Sequence, residues 1–167
     1  MNTQATPRLA RGGKSIYGAP LGILMLEARF PRIPGDMGNA TTWPFPVLYK
    51  VVRGASPRRV VTERAAGLLD DFLAAARELV DLGADGITTN CGFLSLFQRE
   101  LQEAVGVTVA TSSLLQVPWV QAMLPPGKRV GRPAGFRRVG TARGSFWLAA
   151  GRRRAHLHVR RDVTRGS

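Results

Sequence analysis

Gly83-Ala-Asp-Gly-Ile-Thr-Thr-Asn-Cys-Gly-Phe93 is the stretch that decides the fold. Before it, Leu68, Leu69, Phe72, Ala76, Leu79 and Val80 recur at i, i+3/i+4 spacing. That period predicts a helix from an N-cap at Thr62 to about Leu82, with Gly83 as its stop. Gly86-Ile-Thr-Thr-Asn90 reads as a short strand. A second helix is expected directly after Cys91, because Phe93, Leu94, Phe97, Leu101 and Val105 share one face. Helix, strand and helix in immediate succession point to alternating α/β structure.

The same alternation extends outward. Leu21-Gly-Ile-Leu-Met-Leu26 reads as a buried strand and Pro46–Val52 as a second, separated by a loop rich in Pro, Gly, Asn and Thr. Val107–Thr111 is the next strand. Ser112 or Ser113 caps a segment to about Leu124 that Pro118 disturbs, and Lys128–Gly131 starts another strand. This β-α-β-α-β order predicts an α/β domain over residues 17–131, a three-layer unit with a parallel sheet of about four strands.

After Gly131 the pattern ends. Arg, Gly and Ala fill 21 of the last 37 positions. Pro133 removes a ladder donor, and arginines occupy places that a buried strand would give to apolar residues. Residues 132–167 are therefore expected to form a poorly structured Arg-rich tail. Residues 1–16, polar and basic with no apolar core of a secretory signal, are expected to be a disordered extension.

The formal charge of +13 suggests nucleic acid at first sight. Residues 1–130 carry a net +4, however, and residues 131–167 a net +9 from 10 Arg against Asp162 alone. The excess belongs to the tail. Three readings of the tail stand: a frameshifted end, since out-of-frame GC-rich codons favour Arg, Gly, Ala and Pro; a nucleic-acid arm; or a solvated basic tail. In the second, Arg152–Arg154 would meet phosphates while Phe146 or Trp147 stacks on bases, giving weak, nonspecific binding. His156-x-His158 is a weak metal-pair signal. No apolar run approaches the ~20 residues of a membrane span. Cys91 is the single cysteine, which excludes an internal disulfide and fits a reducing cytoplasm.

Ligands of open α/β sheets bind where strands end and helices begin. Thr88-Thr-Asn-Cys-Gly92 lies at such a junction, where a helix N-terminus is expected to lower the thiol pKa. Asp36-Met-Gly-Asn-Ala-Thr-Thr42, after the first strand, exposes amides and hydroxyls suited to an anion. Either feature also has an ordinary reading: a small buried hydrophobe for Cys91, a surface turn for the loop.

Gly18–Met25, Ile33–Thr42, Gly86–Phe93 and Pro126–Gly131 together resemble the aspartate/glutamate/hydantoin racemase superfamily, over about residues 17–131. The resemblance implies two similar α/β domains facing each other, each giving one cysteine to a cleft, with no metal or pyridoxal cofactor. It implies Cys91 as the catalytic cysteine of the first domain. Thr89 and Asn90 would contact a substrate carboxylate, as would Gly38, Asn39 and Thr41 of the first loop. The implied partner is a small acidic amino acid or a related α-substituted acid, with a homodimer as a way to bring two thiols together. Racemisation needs an acid and a base on opposite faces of the α-carbon. With one cysteine, the chain alone is expected not to racemise.

Overall fold

The computed structural model describes residues 12–131 in full. Beyond them it describes only the backbone of strands 136–141, 144–149 and 159–160. The centre is a four-stranded, all-parallel sheet. It contains β1 (Leu21–Leu26), β2 (Val47–Val52), β3 (Gly86–Thr89) and β4 (Thr108–Ala110). The spatial order is β2-β1-β3-β4. The α/β class expected from the alternation is the one observed.

β1 reads as an apolar run because both its faces are covered. Leu24 and Leu26 join the main core, and Ile23 and Met25 are buried outside that cluster. The core side is built by α1 (Pro57–Val61), α2 (Leu69–Leu82) and α3 (Gln98–Ala104). α2 packs across β1, β2 and β3, burying Phe72, Ala75, Ala76 and Leu79. The Phe72 ring meets Phe97 with centroids 5.8 Å apart, tying α2 to the turn before α3. Gly83 ends α2 at φ 131°, its N–H bonded to the carbonyls of Leu79 and Val80. α4 (Val117–Met123) follows β4, with Pro118 in its first turn. Proline is tolerated there, since the first N–H groups of a helix lack intrahelical partners.

Two boundaries differ from expectation. Thr62 caps no long helix. It ends the short α1, whose N-cap is Ser56, the hydroxyl of which accepts from the N–H of Arg59. Arg64 and Ala65 then take φ 54° and Gly67 takes φ 70°, a left-handed run that no helix can contain. The segment after Cys91 opens as a 3₁₀ turn, Gly92–Phe97, before α3 begins.

Of residues 1–16, those from 12 onward are described. The Ile16 N–H donates to the carbonyl of Leu82, and Lys14 bonds Gly83 and Asp85 at the α2–β3 turn. β5 (Arg129–Val130) and three strands of the tail, β6 (Phe136–Thr141), β7 (Gly144–Ala149) and β8 (Val159–Arg160), make two antiparallel pairs, β5–β8 and β6–β7. Neither pair joins the parallel sheet, so Lys128–Gly131 does not extend it. The side chains named for nucleic-acid or metal contact, Phe146, Trp147, Arg152–Arg154, His156 and His158, lie outside the described residues. Among the described residues no helix is long and apolar enough to cross a membrane.

The contact between β1 and α2 depends on Gly22. A methyl group there would stand 2.9 Å from Ile87 Cδ1, 3.1 Å from Leu79 Cβ and 3.2 Å from Ala84 Cβ. Gly22→Ala is expected to lower stability by about 1–3 kcal/mol through overpacking. Urea titration reads this as a lower midpoint with an unchanged slope; an unchanged midpoint would mean that α2 has room to move.

Candidate active site

The sheet reverses its winding between β1 and β3. The chain leaves β1 towards β2 on one side, and leaves β3 towards β4 on the other. At such a switch point the loops after the two strands diverge and open a crevice. Here those loops are residues 27–46 and residues 90–97.

Asn90 holds the two strand ends together. Its N–H donates to the carbonyl of Leu24 at 3.1 Å, and its side-chain Oδ1 accepts from the N–H of Leu26 at 3.0 Å. An amide side chain thus prolongs the β1–β3 ladder by one bond. Thr89, buried at 4% exposure, gives its hydroxyl to the carbonyl of Thr111 at 2.8 Å and accepts from the Cys91 N–H at 3.3 Å. Thr88 reaches the Ala110 carbonyl in the same way. Gln98 completes the clamp on the end of β4: it donates to the Val109 carbonyl and accepts from the N–H and hydroxyl of Thr111. Nothing in the sequence pattern marked the pairing of Gln98 with Thr111.

Cys91 follows in extended conformation, φ −139° and ψ 115°, as the N-cap of the Gly92–Phe97 turn. Its half-buried side chain packs against the edge of the main core. Burial pushes the thiol pKa up, and the N–H groups of Phe93 and Leu94, which favour the thiolate, offset this only in part. The expectation of a lowered value is therefore corrected: desolvation outweighs the donors at the turn. Gly92 lets this turn approach the next one, since a Cβ there would lie 3.3 Å from Ser112 Oγ. The backbone of β7 passes beside both turns.

The loop after β1 is closed by its own polar groups. Asp36 Oδ1 accepts from Arg32 Nη1 and from the Gly38 N–H, each at 2.7 Å. Burial would raise the Asp36 pKa, but the Arg32 guanidinium and the Gly38 N–H outweigh it, and the value is lowered. Asn39 accepts from the N–H and hydroxyl of Thr41 and donates to the Arg32 carbonyl. Thr42 donates to the carbonyl of Asp36, and the Tyr49 hydroxyl and Trp43 indole both donate to that of Met37. Gly38 packs against Met25 of β1 and the stem of Arg32, and a Cβ there would force those two side chains to shift. The expected site residues thus form two groups on neighbouring strand ends: Thr89, Asn90 and Cys91 after β3, and Gly38, Asn39 and Thr41 after β1. Arg32 was not foreseen. Its only sequence signal was the i, i+4 spacing to Asp36.

A cavity of about 580 Å³ lies elsewhere, lined by Val117, Pro118, Leu124, Pro125 and their neighbours. None of its lining residues belongs to either group, and the Gln121 amide in it is engaged by Lys128 and Val130. Its polar lining comes from Gln121, Lys128 and Arg129, with no carboxylate, thiol or hydroxyl side chain among them.

No family model matches the chain. No solved structure matches it either. Among curated proteins, it is similar to the dimethylsulfoniopropionate lyase of Durusdinium sp. clade D, 29% identical over 112 residues, which are 66% of this chain and 37% of that protein. Dimethylsulfoniopropionate lyases 6 and 7 of Emiliania huxleyi (strain CCMP1516) are 32% and 31% identical over 104 and 101 residues. Those stretches make up 60% of this chain and 26% and 30% of the two proteins. The chain thus matches between 26% and 37% of the length of these relatives. These findings overturn the racemase expectation, because the relatives are named as lyases and no family model supports a racemase. The amino-acid isomerase function and the nucleic-acid alternative fall with it: neither has a relative behind it.

The raised thiol pKa gives a direct expectation. At a given pH a raised value means less thiolate, so Cys91 should alkylate more slowly with iodoacetamide at neutral pH than a free cysteine. Its rate should climb with a midpoint above the ordinary thiol value of about 8.5. A midpoint below that value would show that the Phe93 and Leu94 donors outweigh burial.

Proposed function

We propose that this chain carries the base of a lyase acting on dimethylsulfoniopropionate or a closely similar β-sulfonio carboxylate. The observation that carries the reading is the half-buried Cys91 thiol at the C-terminal edge of β3, beside the switch point, in a chain whose relatives are named as lyases.

The chemistry follows from the bonds of such a substrate. The Cys91 thiolate removes a proton from the carbon next to the carboxylate. The electron pair of that C–H bond forms a C=C bond, the C–S bond at the next carbon breaks, and its pair leaves with sulfur. The products are acrylate and dimethyl sulfide, and the proton remains on Cys91 until solvent takes it. The leaving group departs neutral, so no acid is required to protonate it. Inversion of a stereocentre needs a proton donor on the far face, whereas elimination needs only the base. A single cysteine is therefore sufficient in principle.

Burial acts in two directions: it makes the thiolate a stronger base once formed, and it leaves less thiolate at neutral pH. Thr89 positions the Cys91 backbone, and Asn90 fixes the end of β3 against β1. The thiol stays reduced in a compartment such as the cytoplasm, where we place the reaction.

The test is headspace measurement of dimethyl sulfide from the purified full chain with dimethylsulfoniopropionate. Cys91→Ser should lower the rate by about 10²–10⁴-fold, the usual contribution of a general base. The rate should rise with pH up to the raised thiol pKa, because the deprotonated form is active. Absence of dimethyl sulfide from wild-type chain, or release unaffected by Cys91→Ser, would refute the reading.

A further inference from the structure

Arg32 lies in the loop after β1 with its side chain only 14% exposed. Its guanidinium sits over the Phe30 ring, Cζ 4.5 Å from the centroid, and Nη1 is bonded to Asp36. Nη2 is buried and has no hydrogen-bond partner among the described residues. A buried charged donor without a partner costs more than a neutral one. Such a group calls for a complementary acceptor, and Asp36 does not exhaust it: a guanidinium offers five N–H donors in a fixed fork.

Its position matches the crevice. The Arg32 stem and Met25 of β1 both close on Gly38. Met25 lies between Leu24 and Leu26, the two residues whose backbone Asn90 grips. Arg32 belongs to the loop that leaves β1 and Cys91 to the turn that leaves the neighbouring β3, so the two flank the same switch-point crevice. The carbon that would lose its proton is bonded directly to the substrate carboxylate, so base and carboxylate receptor must be close neighbours.

We infer that Arg32 Nη2 receives the carboxylate of the substrate. The inference rests on the lyase reading and deepens it by assigning the residue that selects a carboxylate. Asp36 and the Phe30 ring hold the fork still. Asn39, through the Arg32 carbonyl, fixes the backbone beneath it. Arg32 acts on binding and orientation, and it takes no proton.

The experiment combines a titration with kinetics on the full chain. Sodium propionate, which has the carboxylate but no leaving group, is added to ¹⁵N-arginine-labelled protein. The Arg32 Nε–Hε resonance should shift saturably. In Arg32→Gln, with its unfolding midpoint checked, propionate binding should be lost and KM for dimethylsulfoniopropionate should rise on the order of 10–100-fold, with kcat little changed. Arg32→Lys should fall between. If Arg32→Gln does not fold, the wild-type titration and the lysine variant decide the matter. An unmoved Arg32 resonance at saturating propionate, or an unchanged KM in a folded variant that still releases dimethyl sulfide, overturns the assignment and leaves the lyase reading intact. An Arg32-dependent propionate site in a chain that releases no dimethyl sulfide keeps the carboxylate receptor and removes the lyase.

Discussion

Everything at the C-terminal edge of the sheet depends on the pairing of β1 with β3 and on the Asn90 side chain that prolongs it. Backbone pairing in register ends at Leu24 and Thr89. Beyond that point the two chains must part, one towards β2 and the other towards β4. The bond from Leu26 N–H to Asn90 Oδ1 delays the parting by one residue. Cys91 therefore leaves the sheet from a fixed place, and the loop after β1 begins beside it. Thr89 and Gln98 fix the neighbouring end of β4 through Thr111. A thiol set on such a frame can be held steadily against one atom of a ligand.

Two opposed effects act on that thiol. Packing against the core removes water and favours the neutral form, while two turn N–H groups favour the thiolate. Burial prevails. A nucleophile in constant use would gain from the opposite balance, as thiolate population governs its reactivity. A base that must take a proton from carbon gains strength from the balance found at Cys91 but is less populated at neutral pH.

The sheet was legible in the sequence because β1, β2 and β4 are apolar runs with turn residues at their ends, and Gly83 and Gly86 punctuate the passage into β3. The break between α1 and α2 was not legible. It rests on left-handed conformations at Arg64 and Ala65, residue types that carry no such preference. The place of Cys91 could be read from its strand–turn context, but the direction of its pKa could not, since that is set by side chains distant in sequence that bury it. The proposed substrate class was not legible for a chemical reason. A cysteine beside Gly-rich, hydroxyl-bearing loops suits removal of a proton next to a carboxylate, and that step opens racemisation and elimination alike. Arg32 escaped notice because a lone arginine in a Pro-rich loop looks solvated until its partners, Asp36 and Phe30, are seen around it.

The central claim is that proton removal next to the carboxylate, by Cys91, drives loss of the sulfide. The most direct measurement compares dimethyl sulfide release from substrate deuterated at the carbon next to the carboxylate with release from substrate deuterated at the carbon bearing sulfur. Slower release from the first, with little change for the second, is the expected result. Equal rates for the first and the undeuterated substrate, in a reaction otherwise limited by chemistry, would contradict the account.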